Sequence, residues 1–300
     1  MKRKLVRQGA ATMMVSLPAK WLKEHKLEKG DEIEIEETDK GLLLTTKAGS
    51  GKSETTIKLI NMTESSIRTL ITNTYRAGFD RVKVVFDNEK QFNILSNVIK
   101  TRLIGFDVTK KEENTCVIEN ITEPSEEHFD TLIQKLFFNI GEMFDITEKR
   151  LKKSKEPYDY EEVAERTHRY DNWCRRVISK KMASIAKTDF LWAFMALLNH
   201  GQRELYHLNK AIDDRTDVSQ KTMKLFSYAK ESFELLKKAY FDKNIDVLAR
   251  IHPLEKEAIY KEGYKLLETT HGRENIIVYH LMSCIRRLLC ANSPLTGFLM

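Results

Sequence analysis

The sequence has little of several features that mark particular classes of protein. Its 300 residues include only five prolines, twelve glycines and four cysteines, and no two cysteines form a CxxC pair. Scattered cysteines of this kind are typical of reduced, mostly buried thiols in the cytosol. The longest apolar run, Phe190 to Leu198, is far shorter than the roughly 18 residues that a membrane span needs. No apolar segment follows the charged start, so no secretory signal is expected. We expect a cytoplasmic protein without membrane insertion.

The sequence also lacks a set of residues typical of an enzyme. The eight histidines have no nucleophile motif beside them, except that His280 precedes Cys284 by one helical turn on an apolar face, which is typical of core packing. The segment Ala48 to Ser53 ends like a phosphate-binding loop, but Thr46 stands where that loop needs glycine and a strand pattern follows. We interpret this segment as a flexible linker, and we expect no enzymatic activity and no cofactor.

The first 47 residues contain four short strand patterns and one helical turn. Gly9 marks a turn before the apolar run Met13 to Leu17, and Pro18 suits the first position of a short helix, Ala19 to His25. Residues 32–36 alternate acidic and apolar side chains, which predicts a strand, and Gly41 closes a second hairpin. A unit this small cannot bury a core alone, so it should need a second copy.

Charge is unevenly distributed along this unit. Residues 1–30 contain eight lysines and arginines against two glutamates, a balance of +6 within a chain whose total is also +6. Residues 31–46 contain six acidic residues against one lysine, a balance of −5. A local basic patch attracts phosphate backbones, although a simply solvated surface remains the alternative.

The motif from Val6-Arg7-Gln8-Gly9 through Val15-Ser16-Leu17-Pro18 to Lys29-Gly30-Asp31 resembles the AbrB/SpoVT family of swapped-hairpin DNA-binding domains. The resemblance implies an obligate homodimer whose interleaved hairpins form one small β-barrel, with basic residues of both chains facing double-stranded DNA. The usual loop arginines are replaced by Ala10-Ala11-Thr12. The predicted DNA-binding residues are Lys2, Arg3, Lys4, Arg7, Gln8, Thr12, Ser16, Lys20 and Lys23.

Residues 54–121 predict a small α+β domain with the order βαβαββ. Thr63 is a candidate N-cap, and Gly78 and Gly105 end the two predicted helices. The strand Val82 to Phe86 is apolar enough to be buried. This domain has no catalytic pattern, and we expect a structural spacer or a dimerisation module, with a sensor of a small ligand as the alternative.

Residues 122–293 predict an antiparallel bundle of five to six helices. The first helix opens near Pro124 and carries an apolar stripe that includes Phe129, Ile133 and Leu136. Pro253 should interrupt or kink the penultimate region, and the last helix should stop before Pro294. The whole chain is therefore predicted to be a multi-domain α+β protein.

The segment Asp171 to Lys181, with its continuation to Ile212, is similar to PhoU-type phosphate-uptake regulators. Such proteins carry paired carboxylates one helical turn apart that can share a metal, but the corresponding positions here lack them, so no metal site is predicted. Glu204 and His207 are one turn apart and remain a weak alternative. The runs Arg175-Arg176 and Arg286-Arg287 are expected to solvate a face or pair with acids.

Together these patterns predict a homodimeric DNA-binding transcriptional regulator linked to phosphate uptake. The first alternative is a signalling adaptor of phosphate transport, which binds a transporter ATPase or sensor kinase and uses the N-terminal domain only to dimerise. A metal-dependent sensor is the second alternative.

Overall fold

A computed structural model describes residues 2–9, 12–38, 41–46, 53–59, 62–122, 126–154, 158–180 and 185–300. The chain divides into two compact units, Met1–Ser53 and Glu54–Met300. The boundary falls at the end of the predicted linker, most of which lies outside the described residues. The predicted α/β and helical segments belong to the same compact unit.

The N-terminal unit contains two antiparallel hairpins and one short helix. Its elements are β1 (Val6–Gln8), β2 (Thr12–Met14), α1 (Ala19–Glu24), β3 (Ile33–Thr38) and β4 (Gly41–Thr46). Strands β1 and β2 form one sheet, and β3 and β4 form a second. The four strands and the helix were predicted, but the described strands of a single chain do not form one barrel.

Backbone geometry explains the ends of these elements. Gly9, with φ of +77°, provides the turn that follows β1. Pro18 lies just before α1 in an extended conformation, so the prediction that it occupies the first helical position is wrong by one residue. At the other end Lys26 has φ of +53°, and the Leu27 N–H donates to the Leu22 carbonyl at 2.9 Å. This bond from beyond a left-handed residue is typical of a Schellman helix end.

The second unit begins with the predicted βαβαββ fold. Its elements are β5 (Glu54–Lys58), α2 (Glu64–Arg76), β6 (Arg81–Val85), α3 (Glu89–Arg102), β7 (Phe106–Lys111) and β8 (Thr115–Asn120). The sheet order is β5-β6-β8-β7, with β5 parallel to β6 and the other pairs antiparallel. The Thr63 side chain accepts a hydrogen bond from the Ser66 N–H at 3.2 Å, as expected for an N-cap. The core includes Val82 and Val84 of β6 packed with Ile67 and Leu95 of the helices.

The rest of the unit is helical. Its elements are α4 (Phe129–Leu151), α5 (Tyr160–Lys180), α6 (Thr188–Ala211), α7 (Gln220–Asp242), a 3₁₀ turn (Asp246–Arg250), α8 (Ile251–Glu255), a π-helical segment (Lys256–Gly263), α9 (Tyr264–Thr269) and α10 (Gly272–Leu299). Helix α10 packs along α6 and α7, and α4 packs along α5. The core between them contains Phe137, Phe194, Phe233 and Tyr240, whose rings are in contact. Across the described ranges, no helix combines the length and apolarity required to cross a membrane.

One predicted proline effect is wrong, and a second is confirmed with a shifted position. The prediction that the last helix stops before Pro294 is wrong, because α10 continues through Pro294 to Leu299. Packing of α10 on α6 outweighs the single lost backbone bond, and Gly297 leaves room for the Phe190 ring, which a Cβ at that position would meet at 2.4 Å. The predicted interruption near Pro253 is present, because the region is divided into the 3₁₀ turn, α8, the π-helical segment and α9. Pro253 itself lies within α8, three residues after the 3₁₀ turn ends. The N-terminal start near Pro124 lies outside the described residues, and the described helix begins with a 3₁₀ turn at Glu126.

Helix α4 ends on a left-handed lysine, which predicts a stabilising substitution. Lys153 has φ of +56°, and the Ser154 N–H donates to the Lys149 carbonyl at 3.0 Å. Glycine adopts this conformation without strain, so Lys153→Gly is expected to raise the free energy of unfolding by roughly 0.5–1 kcal/mol. Urea unfolding measures the change. The matched control is Lys135→Gly, within α4, which should lower it by about 1 kcal/mol. Equal destabilisation by both variants would contradict the expectation.

Candidate nucleic-acid interface

The β1–β2 hairpin divides the predicted DNA-binding residues between its two faces. Gln8 lies directly opposite Thr12, so these two share a face. Arg7 lies opposite Met13, one position along, and successive side chains of a strand point to opposite faces. The structure therefore brings Gln8 and Thr12 together but directs Arg7 away from them.

The other predicted residues lie on both sides of this hairpin. Lys2, Arg3 and Lys4 precede β1, and Ser16 lies between β2 and α1. Lys20 and Lys23 are three residues apart on α1 and therefore share a helix face. All nine predicted side chains are exposed. They are accessible to a large anionic partner from the surface of this unit.

Among the described residues, the lysines of α1 form no strong ion pair. Lys20 lies 3.8 Å from Glu24, and both side chains are largely exposed. An exposed pair of this kind is worth roughly 0–1 kcal/mol and is easily exchanged for another anion. The Ala10-Ala11 part of the altered loop lies outside the described residues, and Thr12 begins β2.

Apolar side chains of this unit are also exposed. None of its residues with a described side chain is fully buried. Ile35 is 63% exposed and Leu42 67% exposed, and Val6 and Met13 of the first hairpin are exposed to a similar degree. Each such side chain forgoes roughly 1.5–3 kcal/mol of burial. The described side chains of this unit therefore form cationic and apolar surfaces and no buried core.

One comparison with known proteins bears on this unit. Residues 6–52 match the family model of MazE, a bacterial antitoxin, described as antidote-toxin recognition. The match coincides with the N-terminal unit and supports its predicted swapped-hairpin type. Comparisons with curated proteins and with solved structures gave no match. The similarity of the helical segment to PhoU receives no support from these comparisons.

The weak metal candidate in the helical segment does not gather a ligand set. Glu204 lies 3.0 Å from Nδ1 of His280 on α10, and the His207 ring stacks on that histidine with centroids 5.9 Å apart. The hydrogen bond from His280 lowers the pKa of Glu204. Within the described ranges, no group of three or more histidine, cysteine or acidic side chains could hold a metal. The expectation that His280 packs in the core beside Cys284 is wrong, because it is half-buried and pairs with Glu204.

Sequence reasoning missed the roles of the arginines in the second unit. Arg175 and Arg176 both pair with acids, but they are buried rather than solvated. Other arginines, far apart in sequence, line one cavity. They share no motif, because they lie on three different helices, α2, α3 and α6.

Proposed function

We propose that this protein is a DNA-binding transcriptional regulator that acts as a homodimer. The observation that carries the proposal is the N-terminal unit itself, which combines exposed cationic side chains with exposed apolar faces and matches an antitoxin family model. In the dimer, hairpins of two chains would pair into one β-barrel and bury residues such as Ile35 and Leu42. The basic residues of both chains would then form a continuous surface, and two-fold symmetry favours a pseudo-palindromic site.

The contacts to DNA divide by chemistry. Lysines and arginines before β1 and on α1 would neutralise phosphates, which gives affinity without sequence preference. Gln8 and Thr12, side by side on one face of the hairpin, would supply the neutral hydrogen-bonding groups. The proposal includes no catalytic step and no cofactor. A link to phosphate uptake is a further part of it and rests only on the resemblance of the helical segment.

Loss of two basic residues should weaken DNA binding strongly. In a dimer, Lys4→Ala with Arg7→Ala removes up to four phosphate contacts, so affinity for duplex DNA at about 100 mM salt should fall by about 100-fold. The slope of log affinity against log salt should decrease by up to about 0.9 per lost contact. Fluorescence anisotropy with random and genomic duplexes at several salt concentrations measures both quantities.

The matched control removes the same charge from the same unit. Lys26→Gly with Lys29→Ala changes two lysines outside the predicted site, and glycine keeps the left-handed backbone at position 26. This variant should bind within a few-fold of the parent. If the parent itself binds no random duplex even at low salt, the signalling adaptor becomes the better reading. Unchanged binding by a Lys4/Arg7 variant that remains dimeric in sedimentation would refute the proposed interface.

A further inference from the structure

A cavity of about 500 Å³ lies where α2, α3, α5 and α6 meet. Its volume falls within the range typical of small-molecule sites, roughly 300–1,000 Å³. All of its lining residues belong to the second compact unit, and all are described. The cavity and the proposed DNA-binding residues belong to different units of the chain, so a ligand site in the cavity does not depend on the proposed DNA binding.

Each of the four helices contributes at least one arginine to the cavity. These arginines are Arg68 and Arg76 of α2, Arg102 of α3, Arg175 of α5 and Arg203 of α6. Arg68 and Arg76 are eight residues apart, about two helical turns, and therefore lie on one face of α2. Guanidinium groups bind phosphate and carboxylate oxygens in pairs with a fixed geometry. Five of them converging on one concave space form a site for a multiply charged anion.

The arginines of the cavity outnumber the acidic side chains beside them. Asp171 accepts bonds from both Arg76 and Arg175, at 2.9 Å each, and so provides one negative charge for two cations. Glu64 pairs with Arg68. Neither Arg102 nor Arg203 forms an ion pair with any part of the chain that the structure describes. The exposed Glu161 and Glu165 line the cavity itself, so the five arginines still outnumber these four carboxylates.

Burial and the neighbouring arginines both change the pKa of two titratable groups that line the cavity. Burial, and next the charge of Arg68, lower the pKa of Arg102 to about 10. Burial, and next the charge of Arg102, lower the pKa of His168 to about 3. His168 is therefore neutral at neutral pH and can both donate and accept a hydrogen bond. An incoming anion would relieve the repulsion among these cations.

Other lining groups suit a ligand larger than a bare anion. Asn199 is buried and donates from Nδ2 to Asp171 at 2.7 Å, but its Oδ1 has no hydrogen-bond partner within the described chain. Because that oxygen has almost no accessible surface, it is not available to a ligand in the cavity. Helix α6 adds the rings of His200, Tyr206 and His207. Aromatic rings stack on the bases of nucleotides and contribute roughly 1–3 kcal/mol per base in single-strand binding.

We propose that this cavity binds a phosphate-bearing small molecule of nucleotide size. The guanidinium groups hold the phosphates, and the rings of α6 contact the remainder. Inorganic phosphate alone fills only a small part of the space. Duplex DNA is too wide to enter it. Because α2 and α3 belong to the α/β layer and α5 and α6 to the helical layer, the bound molecule joins the two layers.

Isothermal titration calorimetry of the full chain tests the proposal. The probes are ATP, inorganic phosphate and citrate at fixed ionic strength. They differ in the size of the ligand and in whether it contains phosphate. ATP should give saturable binding that is at least tenfold tighter than that of phosphate or citrate. Arg102→Gln and Arg203→Gln should each weaken ATP binding by about tenfold or more, since a hydrogen bond to a charged group is lost. The control Arg250→Gln removes a surface arginine paired with Glu231 and should bind like the parent.

The Arg203→Gln variant and the choice of probe together make the proposed site testable. Arg203 is exposed, so its variant should fold, and its melting temperature without ligand should match that of the parent. At the same ATP concentration, the melting temperature should rise more for the parent than for the Arg203→Gln variant. Absence of ATP binding, undiminished binding in Arg203→Gln, or equal affinity for phosphate or citrate would each overturn the proposal. The Lys4/Arg7 variant should keep full ATP affinity, which separates this site from the N-terminal surface whether or not that surface binds DNA.

Discussion

Replacing Arg176 by alanine is expected to lower the free energy of unfolding by about 3–5 kcal/mol. This arginine of α5 is 1% exposed and reaches into the α/β layer. It donates to the Tyr75 carbonyl at 3.1 Å, to the Phe79 carbonyl at 2.8 Å and to Asp80 at 2.5 Å. Its guanidinium also lies 4.9 Å from the Phe106 ring centroid. Alanine would remove a buried cation together with the partner of two carbonyls and a carboxylate.

A second arginine of the same helix is the matched control. Arg166 also has two acidic partners, Glu162 at 3.0 Å and Glu142 at 2.7 Å, but a third of its side chain is exposed. Exposed pairs are worth roughly 0–1 kcal/mol, so Arg166→Ala should cost about 1 kcal/mol or a little more. Urea unfolding followed by tryptophan fluorescence compares the two variants. Equal losses in the free energy of unfolding would show that burial does not make Arg176 more important for stability than Arg166.

The second large effect is expected at Asp171. Its carboxylate is fully buried and accepts bonds from Arg76, Arg175 and Asn199 at 2.7–2.9 Å. Asp171→Asn keeps the shape but leaves two arginines without a countercharge and places one amide NH₂ against another. We expect a loss of about 3–5 kcal/mol in the free energy of unfolding at pH 7.

The pH dependence of this loss follows from the direction of the pKa shift. Burial alone would raise the pKa of Asp171, but Arg175 and then Arg76 lower it below its usual value. A carboxyl group with a lowered folded-state pKa stabilises the protein above its unfolded pKa, about 3.9, and loses that contribution as pH falls through the folded value. The stability difference between the parent and Asp171→Asn should therefore be constant from pH 7 to about 5 and should shrink below about 4.

Stability curves at several pH values test this expectation. Asp145, an exposed aspartate paired with Lys230, provides the control. Asp145→Asn should change stability by about 1 kcal/mol or less at every pH. A difference for Asp171→Asn that stayed constant down to pH 3 would mean that its cost comes from packing and not from charge.

Most elements of the fold could be predicted from the sequence because their signals are local. A short apolar run predicted β6, helical spacing predicted the apolar faces of α2 to α7, and Thr63 was expected to be an N-cap. In the N-terminal unit, glycine turns and alternation predicted both hairpins. Each of these signals lies within about ten residues of chain, where propensity and periodicity act.

The failures concern interactions between distant segments. Pro294 was expected to end α10, but packing against α6 outweighs the local penalty. Arg176 was expected to lie near solvent or pair with an acid, and only the tertiary structure shows that its acid is Asp80 of another layer. The cavity arginines have no sequence signal, since no spacing connects Arg68, Arg102 and Arg203. The predicted surface residues of the N-terminal unit are exposed as expected, but the hairpin register that separates Arg7 from Gln8 requires the strand pairing.

The contact between the α/β layer and α5 consists largely of directional bonds and ion pairs. Arg76, Asp80, Asp171 and Arg176 all lie there with partners across the contact. Two apolar surfaces can slide past each other at little cost in free energy. Displacement of α5 by one turn, about 5.4 Å, would instead leave several buried charges without their partners. The two layers should therefore move as one rigid body. A molecule bound between them should reduce the internal motion of this unit and should not shift one layer against the other.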